Sequence, residues 1–254
     1  MLALTPLEGF PFIQKGDDLV VSILNSLTLT NITLKENDIL VLAQKIVSKS
    51  EGRIIDLSSV RPSLEAKKIA DKCEKDPRLI ELILQESKDI IRVRPGTIIV
   101  EHRLGFICAS AGIDHSNVTF LNTESENFVL LLPENPDLSA QIIRKRIKEL
   151  FGINIGVMII DSHGRAWRLG VVGVSIGFSG IPGIINMRGQ PDLFGGKLRI
   201  TEISAADELA AAASMVMGQA AEGFPIIHVR GFPYPLRNGN FHELIRPIED
   251  DLFR

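Results

Sequence analysis

Short apolar runs of strand length recur through the chain, interleaved with stretches of helical period, and no Pro/Ser-rich or low-complexity linker separates them. Ile39–Ala43, Thr97–Val100 and Ile155–Ile160 are such runs, and Ser63–Lys88 and Ala205–Met217 are such helical stretches. This interleaving predicts one α+β unit over residues 1–254. A chain of 254 residues buries a substantial core. Its 28 Lys+Arg and 31 Asp+Glu leave a formal charge of −3, which gives no electrostatic case for a nucleic-acid partner. No apolar run reaches bilayer length, and Met1–Pro6 lacks a basic region followed by a long apolar stretch. A soluble cytoplasmic protein without a membrane partner is therefore expected. Cys73 and Cys108 cannot form a disulfide framework and lack metal-site spacing.

Local signals place the elements. Asp17-Asp18 opens a helix to about Leu27. Asp76-Pro77 splits Ser63–Lys88 into two helices. Ile90–Val93, Thr97–Val100 and Gly105–Cys108 read as a short meander. Asp137 or Ser139 is the expected cap of a helix running to Leu150 and closed by Gly152. Ile155–Ile160 is a buried strand that should end in a polar turn, Asp161–Arg165. The glycine-rich segment from Gly164 to Gly196 must hold tight turns or close backbone approaches. Ala205–Met217 is a helix stopped by Gly218, and Pro225–Arg230 is a final strand.

No P-loop, Gly-x-Gly-x-x-Gly, His-Glu-x-x-His or Gly-x-Ser-x-Gly occurs. What remains are polar clusters at the ends of apolar strands. Gln44-Lys45, with Lys49 and Arg53, follows Ile39–Ala43. Cations there can hold phosphate oxygens, and a solvated basic turn is the plainer alternative. Asp114 and Asn117 follow the Phe106–Cys108 run; Asp114 offers a hard oxygen for Mg²⁺ or Mn²⁺, and an Asx turn is its alternative. Asp161-Ser162-His163-Gly164-Arg165 offers a carboxylate and a hydroxyl for a divalent cation, against a plain polar loop in which His163 is a loop histidine. Arg165 and Arg168 suit phosphate or a carboxylate, and Trp167 between them suits either stacking or anchoring the glycine-rich segment.

These clusters, in their order, resemble the coenzyme F420:L-glutamate ligase family. The matching stretches are Leu7-Glu-Gly-Phe-Pro, Val47-Ser-Lys-Ser-Glu-Gly-Arg53, Ala111-Gly-Ile-Asp-His-Ser-Asn117, Leu131-Leu-Pro and Asp161-Ser-His-Gly-Arg165. They continue through Gly170-Val-Val-Gly-Val-Ser-Ile-Gly177, Ala206-Asp-Glu-Leu-Ala-Ala211, Met217-Gly-Gln219 and Val229-Arg-Gly231, a core of residues 6–231. The resemblance implies a two-lobed gamma-glutamyl ligase fold of discontinuous segments, forming an intertwined homodimer. It also implies a GTP-dependent ligase that adds L-glutamate to the deazaflavin coenzyme through an acyl phosphate, releasing GDP and phosphate. No fused nitroreductase-like domain is expected on a chain of this length.

Carried over by position, the resemblance gives Asp114 and Asp161 a catalytic role in sharing one divalent cation (Mg²⁺ or Mn²⁺), with Ser162 and Gln219 holding a second. A monovalent cation such as K⁺ is a further candidate. GTP would contact Phe10, Pro11, Phe12, Ile13, Gln44, Lys45, Lys49 and Asn117, and the backbone from Met217 through Gly218 and Gln219 to Phe224. Arg165 and Arg168 are our candidates for the coenzyme phosphate or the glutamate. Ser162 stands where archaeal members are expected to carry threonine, Gln219 where they carry glutamate, and Gln44-Lys45 where they carry a small hydroxyl pair. Two alternatives stay open: the same chemistry on another acceptor or amino acid, and a non-catalytic nucleotide-binding module.

Overall fold

The computed structural model describes residues 1–118 and 127–251. The strands are β1 (Ala3–Pro6), β2 (Ile39–Ala43), β3 (Ile54–Asp56), β4 (Ser87–Arg94), β5 (Thr97–His102), β6 (Ile107–Ala109), β7 (Phe128–Leu130), β8 (Gly156–Arg165), β9 (Arg168–Ser179), β10 (Ile185–Asn186), β11 (Glu202–Ile203) and β12 (Ile226–Arg230). The helices are α1 (Leu19–Leu29), α2 (Gln44–Ser50), α3 (Leu64–Cys73), α4 (Pro77–Gln85), α5 (Pro136–Phe151) and α6 (Ala205–Met217). Helices and strands alternate along the chain, an α+β architecture.

The main sheet has the order β1-β12-β2-β8-β9. Its centre is the parallel pair β2·β8, in register from Ile39↔Gly156 to Ala43↔Ile160. Strand alternation divides β2 between two cores. Leu40 and Leu42 face α1 and α5, whereas Ile39 and Val41 face α6. A buried strand covered on both faces reads as a continuous apolar run, which is the Ile39–Leu42 pattern. At its amino end, buried Asp38 fastens β2 to β12: Arg230 Nε donates to Oδ1 at 2.8 Å, and His228 Nε2 lies 2.8 Å from Oδ2.

A third core lies between α3, α4 and the antiparallel sheet β4-β5-β6, with β3·β7 alongside. The proline break falls as the sequence predicts: Pro77 begins α4, Asp76 caps it by accepting from Arg78 N, and Glu74 ends α3 in the left-handed region. Phe106 packs against all three cores.

Two local expectations, a turn at Asp161–Arg165 and the cap of α5, are corrected. Asp161–Arg165 is not a turn but the second half of β8, paired with β9 from Asp161↔Val174 to Arg165↔Arg168. The turn sits at Ala166-Trp167, with Trp167 88% exposed. Residues 168–179 of the glycine-rich segment likewise form a strand, and its glycines serve close approach more than turning. A Cβ on Gly173 would collide with the Ser214 side chain and lie 2.7 Å from the Ala210 carbonyl of α6, and one on Gly177 would meet Pro136 of α5. Asn135, not Asp137 or Ser139, caps α5 by accepting from Leu138 N. Asp137 is turned inward instead and accepts from the backbone N–H of Phe178 and of Phe241.

Candidate active site

The parallel pair fixes where the polar residues gather. Ala43 and Ile160 are the last register partners of β2 and β8, so Gln44 leaves the sheet beside Asp161, where β8 runs on paired only with β9. This end of a parallel pair is where α/β sheets usually receive ligands. Gln44-Lys45 is therefore not a solvated basic turn; it is the first turn of α2.

Asp114 comes to the same place from a distant segment. Its backbone is bridged to β7, with Asp114 N donating to Leu130 O and Leu130 N to Asp114 O, both at 2.9 Å. The Asx-turn alternative fails, because the carboxylate reaches across to α2. Oδ2 accepts from Gln44 Nε2 at 2.7 Å and lies 3.1 Å from Lys45 Nζ. Lys45 Nζ also donates to the Ser116 carbonyl at 3.0 Å. Burial raises the Asp114 carboxyl above its ordinary range, the charge of Lys45 opposes this, and the charge of Asp161 adds to it. The two carboxylates thus feel one another, as a pair sharing a cation should.

Around Asp161 the cluster continues. Ser162 Oγ donates to Gln219 Oε1 at 2.8 Å, and Gln219 Nε2 donates to Ser214 Oγ at 2.8 Å. Gln219 follows α6, whose end at Gly218 was legible in the sequence. Asn117, in the left-handed region, donates through Nδ2 to Ala220 O at 3.4 Å. The structure therefore joins Gln44, Lys45, Asp114, Asn117, Ser162 and Gln219, with Asp161 beside them. Lys49 lies one turn along α2, half-buried and without a hydrogen bond or ion pair among the described residues. Burial, aided by the charge of Lys45, lowers its ammonium pKa.

Other candidates fall elsewhere. Arg53 is not a phosphate-facing cation: its Nη2 donates to Glu86 Oε1 at 2.8 Å and its Nε to Leu132 O at 2.9 Å. His163 is not a loop histidine. It lies on β8 with Nε2 3.0 Å from Asp161 Oδ2, its ring packed 5.2 Å from that of Phe106. Arg165 and Arg168 are exposed at the hairpin tip, where Arg165 Nη1 donates to Gly170 O at 3.2 Å. Arg165 lies four residue steps along the strand from Asp161, about 13 Å of chain. Ile13 is buried in the core with Val47, Phe10 packs at its edge, and Phe12 is largely exposed. Among the described residues, no hydrogen bond joins Phe10, Pro11 or Ile13 to the carboxylates.

The donor set is hard oxygen: Oδ1 of Asp114 and of Asp161, neither holding a hydrogen bond among the described residues, with Ser162 Oγ and Gln219 Oε1. That chemistry fits Mg²⁺ or Mn²⁺, which bind through few carboxylates and take further oxygens from phosphate and water. Among the described residues no group of three His, Cys, Asp or Glu side chains converges on a metal position. Cys108 lies close enough to feel Asp161; burial first, then that charge, pushes its thiol up to about 12, which removes it as a nucleophile. Spacing alone pointed to neither Ser48, Ser116 nor Ser214; only Ser48, four residues after Gln44 on one helical face, carried a usable signal.

In an α+β chain, Asp114, Lys45 and Lys49 thus gather with Asp161 where β2 of the parallel pair ends. Residues 9–231 match the F420-0:Gamma-glutamyl ligase family, and the chain belongs to that family. It is 45% identical to the coenzyme F420:L-glutamate ligase of Methanothermobacter thermautotrophicus over 255 residues, covering 100% of this chain and 99% of that protein. It is 42% identical to the protein of the same name from Methanocaldococcus jannaschii (96% and 94% covered) and 38% to that from Archaeoglobus fulgidus (98% and 95% covered). No helix among the described residues is long and apolar enough to cross a membrane.

Proposed function

We propose that this chain ligates L-glutamate to the unglutamylated deazaflavin coenzyme, and adds further gamma-linked glutamates, at the expense of GTP. The observation that carries the reading is the meeting of Asp114, Asp161, Lys45 and Lys49 at the carboxyl end of β2·β8, in a chain of this family.

The chemistry asks for such a site. A carboxylate has no good leaving group, so its oxygen first attacks the γ-phosphorus of GTP, and the bond from phosphorus to the GDP oxygen breaks. The glutamate amine then attacks the acyl carbon, the carbon–oxygen bond to phosphate breaks, the amine proton is lost and the amide is left. Lys49, without a carboxylate partner among the described residues, is placed to neutralise phosphate oxygens, and Lys45 to neutralise both phosphate and Asp114. Asn117 is fixed against Ala220, so it and the backbone after Met217 form one wall for the nucleotide. Divalent cations, when held by Asp114 and Asp161 and by Ser162 and Gln219, supply charge neutralisation during phosphoryl transfer. Arg165 and Arg168 then place the acceptor phosphate or the glutamate along the β8–β9 hairpin, beyond Asp161.

A homodimer belongs to the same proposal. Trp167, Leu169, Leu193, Phe194 and Ile200 are each at least 85% exposed, on the β8–β9 hairpin and the segment between β10 and β11. So much exposed apolar side chain calls for a covering surface, and a second copy supplies it. Three separate apolar cores agree with a lobed architecture.

Mass spectrometry tests the activity. Purified protein incubated with GTP, Mn²⁺ or Mg²⁺, L-glutamate and the unglutamylated coenzyme is expected to yield products heavier by one glutamate residue each, with matching GDP release. Metal-dependent GTP binding without product would overturn the acceptor assignment.

A further inference from the structure

Gln44 is buried at the mouth of α2, 1% exposed, and Ser48, one turn on, is 0% exposed. Ser48 Oγ donates to Gln44 Oε1 at 2.9 Å, and Gln44 Nε2 donates to Asp114 Oδ2 at 2.7 Å. An ionised carboxylate only accepts, so the amide must show it the NH₂ end. Oε1 is then turned back into the helix, where Ser48 is its donor. One N–H and one oxygen lone pair of the amide are thus engaged inside the protein, and at 1% exposure Gln44 presents no accessible group to a nucleotide. Lys45 meets the same Oδ2 from the solvent side at 3.1 Å. Both neighbours therefore use Oδ2, and the bridge to Leu130 fixes the backbone behind it. The carboxylate plane is set, and Oδ1 is the oxygen left open.

We propose that Gln44 is a positioning residue that aims Asp114, held in its orientation by Ser48, and that it does not touch the nucleotide. The inference rests on the reading of Asp114 as a cation ligand. It departs from the nucleotide-contact role that the family resemblance implies for position 44.

Partners that orient a metal-ligating side chain typically carry about 10–100-fold in metal affinity. The test separates cation from nucleotide binding in the full-length protein. Mn²⁺ affinity is read from the paramagnetic resonance of free Mn²⁺ without nucleotide, and binding of a fluorescent GTP analogue is read in excess EDTA. Gln44→Met is expected to weaken Mn²⁺ binding about 10–100-fold. Ser48→Ala should weaken it in the same direction by less, and Ser48→Thr, which keeps the hydroxyl, should restore it. Nucleotide binding in EDTA should be unchanged in all three. Gln44→Leu replaces Gln44→Met if the latter does not melt cooperatively. Wild-type Mn²⁺ affinity in the Gln44 variants, or an equal loss of nucleotide binding in EDTA, would overturn the positioning role alone. A wild-type protein that takes up no Mn²⁺ would overturn the ligand reading of Asp114 and the positioning role with it.

Discussion

Glu86 sits between two guanidiniums and an imidazole. Arg53 Nη2 donates to Oε1 at 2.8 Å, Arg103 Nε donates to Oε2 at 2.9 Å, and His102 Nε2 lies 3.7 Å from Oε2. Burial alone would raise its carboxyl, but the imidazole and the two guanidiniums outweigh that and hold it at about 2, against 4.5 for the free group. A carboxyl depressed in the folded chain stabilises fully above its unfolded value, and that contribution is lost as pH falls through the folded one. The contribution is on the order of 3 kcal/mol and should drain away between about pH 5 and pH 2. Urea unfolding of Glu86→Gln at pH 6 and pH 3 is expected to show a flattened acid limb relative to the wild type. Arg53→Ala leaves part of a buried charge uncompensated and should cost about 3 kcal/mol at neutral pH by the same measurement. At the site itself, under the proposed role of Asp161 as a cation ligand in phosphoryl transfer, Asp161→Ala removes that ligand. GDP release should fall by several orders of magnitude, and retained turnover would sink the assignment.

At the scale of elements, the β8–β9 hairpin explains both a success and a failure of sequence reasoning. Gly173 lies against Ser214 and Ala210 of α6. Ser214 in turn accepts from Gln219, so crowding there pushes on the site. Gly173→Ala is expected to cost about 1–3 kcal/mol by overpacking and to lower ligation. Gly164→Ala, whose added methyl meets nothing within 4 Å, is the control and should melt near the wild type. Differential scanning calorimetry beside a GDP-release assay checks both. The close approaches of that glycine-rich segment were legible, but its strand was not. Asp161-Ser-His-Gly is a turn by local propensity, and pairing with Val171–Val174 overrides it. Where the deciding forces are local, as at Asp76-Pro77 or Gly218, sequence and structure agree. The polar strand ends of the site were legible because a buried apolar run must stop where its side chains turn polar. Arg53 and His163 were misread because their partners decide their roles. Glu86 lies 33 residues away from Arg53, and His163 meets Asp161 only once β8 extends through both.

At the scale of the whole molecule, the exposed apolar side chains of the hairpin and of residues 193–200 set the expected state in solution. Light scattering after gel filtration should report twice the chain mass. The double variant Leu193→Asp, Phe194→Asp should shift the protein toward the monomer while keeping its circular dichroism. A wild-type monomer at micromolar concentration would refute the dimer. The strand order β1-β12-β2-β8-β9 has one more consequence. β12 lies between the first two strands, its Ile227–Arg230 pairing with β1 and its Ile226–Val229 with β2. On the ribosome, then, neither β1 nor that edge of β2 has this neighbour until residues 226–230 have emerged. A nascent chain exposes these unpaired edges for most of its synthesis time, with the attendant risk of pairing with other chains. Completion of the sheet waits for β12, and a chain cut short before Ile226 leaves Ala3–Pro6 without the strand that pairs with it here.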